Sequence, residues 1–174
     1  IMYIATIDSG TTNSRVYIVD ENGDVVSKAV EEVGVKNTAI TGSRETLKNG
    51  IAKCFQQALD NINISLEKVE LVLTSGMITS EIGLIEIPHL VAPVKIDKLA
   101  SEMVRVQDTN VFPIDIPVHF IRGIKNAYDE NNVKVSQVGL LDFMRGEEAQ
   151  VAGLLTHVKP PLPTTALRTF MSDP

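Results

Sequence analysis

Residues 7 to 19 read IDSGTTNSRVYIV, and their types and spacing suit phosphate chemistry. Asp8 closes an apolar run, a small polar loop follows, and Arg15 stands where the next apolar run begins. Gly10 lacks the Cβ that would keep a ligand away from the backbone. Successive N–H groups of Thr11, Thr12 and Asn13 can form an anion-binding nest, to which the threonine hydroxyls add donors. Asp8, at a strand end, can hold Mg²⁺ directly or through its water shell, because Mg²⁺ keeps several waters and takes few carboxylates. The loop is neither a Walker pattern, which needs GxxxxGK, nor GxGxxG. Taken alone it is also an ordinary turn, since Ser, Gly and Asn are usual turn residues.

Strands must flank this loop. Tyr3 to Asp8, Ser14 to Asp20 and Val25 to Val33 are rich in Ile, Val, Thr and Tyr and predict an antiparallel meander. Asn22-Gly23 predicts a hairpin, because both residues tolerate positive φ. Ser43 opens a predicted helix whose Leu47, Ile51, Phe55, Leu59 and Ile62 share one face, widened by Cys54 and Ala58. Cys54 reads as a small core residue. Val69 to Leu73 predicts a buried central strand ended by Gly76. Residues 84 to 96, with Pro88 and Pro93, read as irregular strand pieces. Asp97 is expected to cap a helix carrying Leu99, Met103 and Val104. Val118 to Arg122 and Val138 to Leu141 are two further strands, separated by the polar loop at 126 to 132. A helix after Gly146 places Val151, Leu154 and Leu155 inward. A meander followed by helix-connected strands implies a mixed sheet with helices packed on it.

Composition bounds the function. The chain has 174 residues, enough for one domain with a sizeable core or one and a fraction, and its 44% hydrophobic and 22% charged residues are ordinary for a soluble globular protein. A net charge of -6 without a basic cluster argues against nucleic acid. No apolar stretch is long enough to span a bilayer, and no charged and apolar leader opens the chain, so no membrane partner and a cytoplasmic location are expected. A single cysteine excludes an internal disulfide and a cysteine-based zinc site. His89, His119 and His157 lack metal-ligand spacing.

The opening motif resembles the first phosphate motif of the sugar kinase, actin and heat-shock chaperone superfamily. SGMITSEIGLIEIPHLVAPV (75 to 94) and FMRGEEAQ (143 to 150) resemble signatures of the 2-dehydro-3-deoxygalactonokinases. The three motifs together cover about residues 3 to 155. The resemblance implies a ribonuclease H-like α/β fold, an actin-like ATPase domain with an antiparallel three-strand meander and flanking helices. It also implies ATP- and Mg²⁺-dependent phosphorylation of the small sugar acid 2-dehydro-3-deoxy-D-galactonate at its 6-hydroxyl, in galactonate breakdown.

Carried over residue by residue, the resemblance sets Asp8, Gly10, Thr11, Thr12 and Asn13 against the phosphates and magnesium. Arg15 then reaches the phosphates or the sugar side. Gly76, Met77 and Ser80 line the sugar pocket, and Arg145, Glu147 and Glu148 meet the substrate. An Arg suits a sugar-acid carboxylate because its planar fork donates two parallel hydrogen bonds. One of the two acids would orient the attacking hydroxyl or accept its proton, with Asp8 also in the catalytic set. Each residue has a plainer reading. Arg145 can pair with Glu148 at the surface, and Glu147 and Glu148 can complement a helix dipole. Met77 can fill core, Ser80 can cap a helix and Gly76 can end a strand. His89 lies where related sequences often carry Tyr, Ser9 where many carry an aromatic residue, and Ala149 replaces a hydroxyl residue.

Kinases of this kind have two similar domains around a cleft. No second phosphate motif and no adenosine motif are visible here. Residues 1–158 are expected to form the N-terminal kinase domain, and 159–174 a loose start of a further half. Such a chain alone is expected to be inactive, and its exposed cleft face to favour self-association into a homo-oligomer. The alternative is a non-catalytic nucleotide-binding or assembly module of the same superfamily.

Overall fold

A computed structural model describes residues 2–127 and 143–146. Strict alternation builds its centre. In β1 (Tyr3–Ser9), Ala5, Ile7 and Ser9 are buried while Thr6 and Asp8 face the other way; in β2 (Ser14–Val19), Ser14, Val16 and Ile18 are buried opposite Arg15 and Tyr17. β1 pairs antiparallel with β2, which pairs antiparallel with β3 (Val25–Glu31). α1 (Val35–Thr41) and α2 (Glu45–Asp60) follow, and α2 lays Leu47, Ile51, Cys54, Phe55, Ala58 and Leu59 on the buried face. The chain then re-enters the sheet as β4 (Val69–Gly76), parallel to β1. After β5 (Leu90–Val91) and α3 (Ile96–Ser101) come β6 (Val104–Val106) and β7 (Val118–Phe120), then β8 (Ile124–Lys125) and β9 (Phe143–Met144). The main sheet has the order β3-β2-β1-β4-β7-β6, with β7 parallel to β4 and β6 antiparallel at the edge; β5, β8 and β9 form a second, small sheet. This is the ribonuclease H-like mixed sheet expected, with its meander and flanking helices.

Several local expectations are corrected. α1 was not anticipated. It is short, bounded by Gly34 and by Gly42 at φ +69°, and buries only Val35 and Thr38, too little to show a period. α2 begins at Glu45 rather than Ser43, although the Ser43 hydroxyl accepts the Glu45 N–H at 3.2 Å. In the β2–β3 turn only Gly23 uses positive φ, at +87°; the Asp20 carboxylate accepts the N–H groups of Asn22 and Asp24 instead. Asp97 lies in the first turn of α3 and Lys95 at its cap, because Ile96 is already helical. Met103 lies beyond α3, and Val104 opens β6. β3 and β7 end two residues sooner than expected. The strand expected at 138–141, the helix after Gly146 and the boundary at 158 lie outside the described residues.

Candidate functional site

Asp8 stands on the sheet face turned away from α2. The ladders set Arg15 beside it on β2 and Ser75 beside it on β4. Arg15 Nη1 lies 3.4 Å from Asp8 Oδ2, and each side chain is about two-fifths exposed. Such a long, solvated ion pair is weak, so the carboxylate is not locked away from other partners.

Two glycines bound the other side of that carboxylate. Gly76, at φ +94°, ends β4, and a Cβ there would lie 2.9 Å from Asp8 Oδ1 and 2.8 Å from the Ser9 carbonyl oxygen. Gly146, at φ +108°, brings its own Cβ direction to 3.1 Å from the Gly76 Cα and 3.9 Å from Asp8 Oδ1. Dihedral and space both require glycine at Gly76, and the dihedral favours it at Gly146. Bare backbone thus comes close to one oxygen of Asp8, where the side chain of a residue replacing Gly76 would collide with it. A single, partly exposed carboxylate suits Mg²⁺, which binds through one or two carboxylates, waters and substrate phosphates. No group of three or more His, Cys, Asp or Glu side chains able to hold a metal occurs among the described residues.

The Gly10–Asn13 loop extends from the same strands. The Gly10 N–H donates to the Asn13 carbonyl at 2.9 Å, and Asn13 Nδ2 donates to Thr12 Oγ1 at 3.0 Å. Among the described residues no protein acceptor takes the N–H groups of Thr11, Thr12 or Asn13. Beneath the loop, the Ser14 hydroxyl donates its one proton to the Val33 carbonyl at 2.8 Å. Ser9 must therefore donate in the 2.8 Å contact between the Ser9 and Ser14 hydroxyls.

Asp8, Arg15, Ser75 and Gly146 line a cleft of about 760 Å³ whose walls are largely apolar, including Leu73 of β4 and Leu99 of α3. A few polar groups in a largely apolar cleft is the usual make-up of a ligand site. Met77, Ser80 and Arg145 do not line it. Met77 packs partly buried against the core, and the Ser80 hydroxyl donates to the Met77 carbonyl at 2.6 Å. Arg145 Nη1 donates to the Thr79 carbonyl at 2.8 Å, to Thr79 Oγ1 at 2.7 Å and to the Ile87 carbonyl at 3.2 Å. Its Nη2 lies 3.3 Å from His89 Nδ1. Guanidinium has only donors, so Nδ1 is the acceptor in that contact. Glu147 and Glu148 lie outside the described residues. Gly146, Thr79 and Ser14 had no role in the sequence reading. The first was visible inside FMRGEEAQ, while the other two read as ordinary polar residues.

A family model described as 2-keto-3-deoxy-galactonokinase matches residues 8–167. A crystal structure from Sinorhizobium meliloti, solved under the provisional name 2-dehydro-3-deoxygalactonokinase, superposes with a TM-score of 0.63 at 22% identity. The overlap covers 89% of this chain and 43% of that one, so this chain spans less than half of that relative. A reductive activator for a corrinoid, iron-sulfur protein gives a TM-score of 0.48 at 17% identity, covering 70% of this chain and 23% of its own. The Clostridium difficile activator of 2-hydroxyisocaproyl-CoA dehydratase gives 0.34 at 21% identity, covering 43% and 24%. At these scores the last two bear on neither fold nor chemistry. None of the curated proteins compared with the chain matches it.

Proposed function

This chain belongs to the 2-keto-3-deoxy-galactonokinase family, and from that membership we propose that it forms one wall of an ATP-dependent sugar-acid kinase. The substrate is 2-dehydro-3-deoxy-D-galactonate, phosphorylated at the 6-hydroxyl, in cytoplasmic galactonate breakdown. The observation that best supports this is the Asp8 carboxylate, set between Arg15 and the bare backbone of Gly76 and Gly146.

In this reading Asp8 holds Mg²⁺ directly or through water, which supplies charge neutralisation across the transferring phosphates. Gly10, Thr11, Thr12 and Asn13 give N–H and hydroxyl donors to phosphate oxygens. Arg15 balances the charge of Asp8 and turns to the phosphates when they arrive. Gly76, Met77 and Ser80 shape the sugar side. Arg145 reads the sugar-acid carboxylate. Glu147 or Glu148 orients the attacking 6-hydroxyl. Phosphoryl transfer has a loose transition state, so placing the reactants in line matters more than base strength.

Residues 1–158 make up the kinase wall in this reading, and 159–174 lead toward the opposite one. The test measures ADP release with and without the sugar acid, for this chain and for a protein carrying both halves. Release that depends on the sugar acid is expected from the larger protein, and none from these 174 residues. ADP release indifferent to the sugar acid would overturn the kinase reading and favour a nucleotide-binding or assembly module.

A further inference from the structure

The hairpin loop is not held by its own strands alone. Gly34 is extended, at φ -158° and ψ -174°, so its dihedrals do not demand glycine. Its surroundings do. A Cβ there would lie 2.3 Å from the Thr11 carbonyl oxygen, 2.4 Å from the Thr11 carbonyl carbon and 2.5 Å from the Gly10 carbonyl oxygen. All three are backbone atoms, so no side chain can swing aside; the loop itself would have to move. The next two residues fasten the same carbonyls. The Val35 N–H donates to Gly10 O at 3.1 Å and the Lys36 N–H to Thr11 O at 3.0 Å. The first N–H groups of a helix lack partners within it, and here two of them are satisfied by the loop. Asn37 Oδ1 accepts the Gly34 N–H at 3.0 Å and fixes the approach.

We propose that Gly34 and the first turn of α1 are the positioning element of the phosphate loop. This rests on the nucleotide reading of the hairpin. A carbonyl oxygen facing a phosphate repels it. By drawing the Gly10 and Thr11 carbonyls toward its own amides, the start of α1 turns the negative side of those peptides away from the ligand. The N–H groups of Thr11, Thr12 and Asn13 are left as the loop's outward donors. The helix contacts no phosphate itself. The ligand is the polyphosphate of a nucleoside triphosphate.

Two variants test this in the protein carrying both halves. Gly34→Ala pushes the loop out. Val35→Pro deletes the donor to Gly10, yet proline suits the first helical position and needs an extended residue before it, which Gly34 already is. Each is expected to raise KM for MgATP about tenfold or more while leaving KM for the sugar acid near wild type. Gly23→Ala serves as control: it strains a turn at φ +87° where a Cβ would meet nothing within 4 Å, and should leave both KM values alone. Unchanged KM for MgATP in both variants overturns the proposal, as does an equal rise in the two KM values. A second readout does not depend on turnover. In this chain the Val35 and Lys36 amides should resist hydrogen exchange, and Gly34→Ala should release them. Rapid exchange in the unaltered chain would overturn the brace even if the kinase reading stands. A protein with no sugar-acid-dependent turnover but protected amides would sink the kinase reading and leave the brace.

Discussion

The two faces of the central sheet differ by one residue in register and by everything in chemistry. Under α2, Ala5, Ile7, Val16, Ile18 and Val72 are sealed, each at most 1% exposed. On the reverse, Thr6, Asp8, Arg15 and Ser75 line a cleft. The same strands thus turn a sealed core to one side and a partly polar cleft to the other, because successive side chains of a strand point to opposite faces. Substitutions on the two faces should therefore fail in different ways.

The largest effect is expected at Asp8. Asp8→Asn keeps shape and removes the charge that would hold magnesium. In the protein carrying both halves it should abolish turnover while the melting temperature stays near wild type, since its pair with Arg15 is long and solvated. Near-normal activity would break the assignment of chemistry to this face.

The dry face should show the converse. Ile51 is fully buried in the core under the sheet. Ile51→Ala should lose about 2–5 kcal/mol of folding stability through lost burial and the cavity left behind. Denaturant titration measures that loss. At temperatures where the variant remains folded, both KM values should be unchanged. A shift in KM would show that the faces are coupled through the strands.

Arg145 sharpens the comparison, because its plain and functional readings predict different losses. Arg145→Lys keeps the charge but cannot reproduce a fork that reaches Thr79, Ile87 and His89. If Arg145 reads the carboxylate, kcat/KM for the sugar acid should fall by about 10–150-fold, the equivalent of about 1.5–3 kcal/mol. Lower stability with unchanged kcat/KM would make Arg145 a clamp on the chain between β4 and β5 and nothing more.

The sequence made some of this division visible. Runs rich in Ile, Val, Thr and Tyr marked the meander that carries Asp8 and Arg15, and the fourfold spacing of Leu47, Ile51, Phe55 and Leu59 marked one apolar helix face. Local periodicity carries that much. It carries little for strands as short as β6, β8 and β9, which exist through pairing with distant partners. Nor does it show α1, with only Val35 and Thr38 inside. At the site, the Asp8–Arg15 contact follows from hairpin register. The meeting of Asp8, Gly76 and Gly146 joins three segments far apart in the chain, and the steric demand at Gly34 arises only where α1 meets the loop. No local pattern encodes either.

The smallest expected effect belongs to the dry face and reports its dryness. Cys54 is 1% exposed, and its thiol donates to the Ser14 carbonyl across 3.8 Å. Burial pushes this thiol above its ordinary range, the Glu31 carboxylate adds to the rise, and a backbone bond from Val16 and the Lys53 ammonium pull against it. The sign follows from which state ionises first. The unfolded chain's thiol loses its proton at lower pH than the folded one, so stability linked to Cys54 is fully present below the unfolded value. It declines as pH rises through that value toward the raised folded one. Cys54→Ala should flatten that alkaline decline, although it costs some packing at every pH. Denaturant midpoints compared from neutral to alkaline pH measure it. A thiolate is the reactive form, so a maleimide should label the native protein slowly at mildly alkaline pH and rapidly once denaturant is added. Fast labelling of the native state would mean that water reaches the face under α2, and the contrast between the two sides of the sheet would fail where it is drawn most sharply.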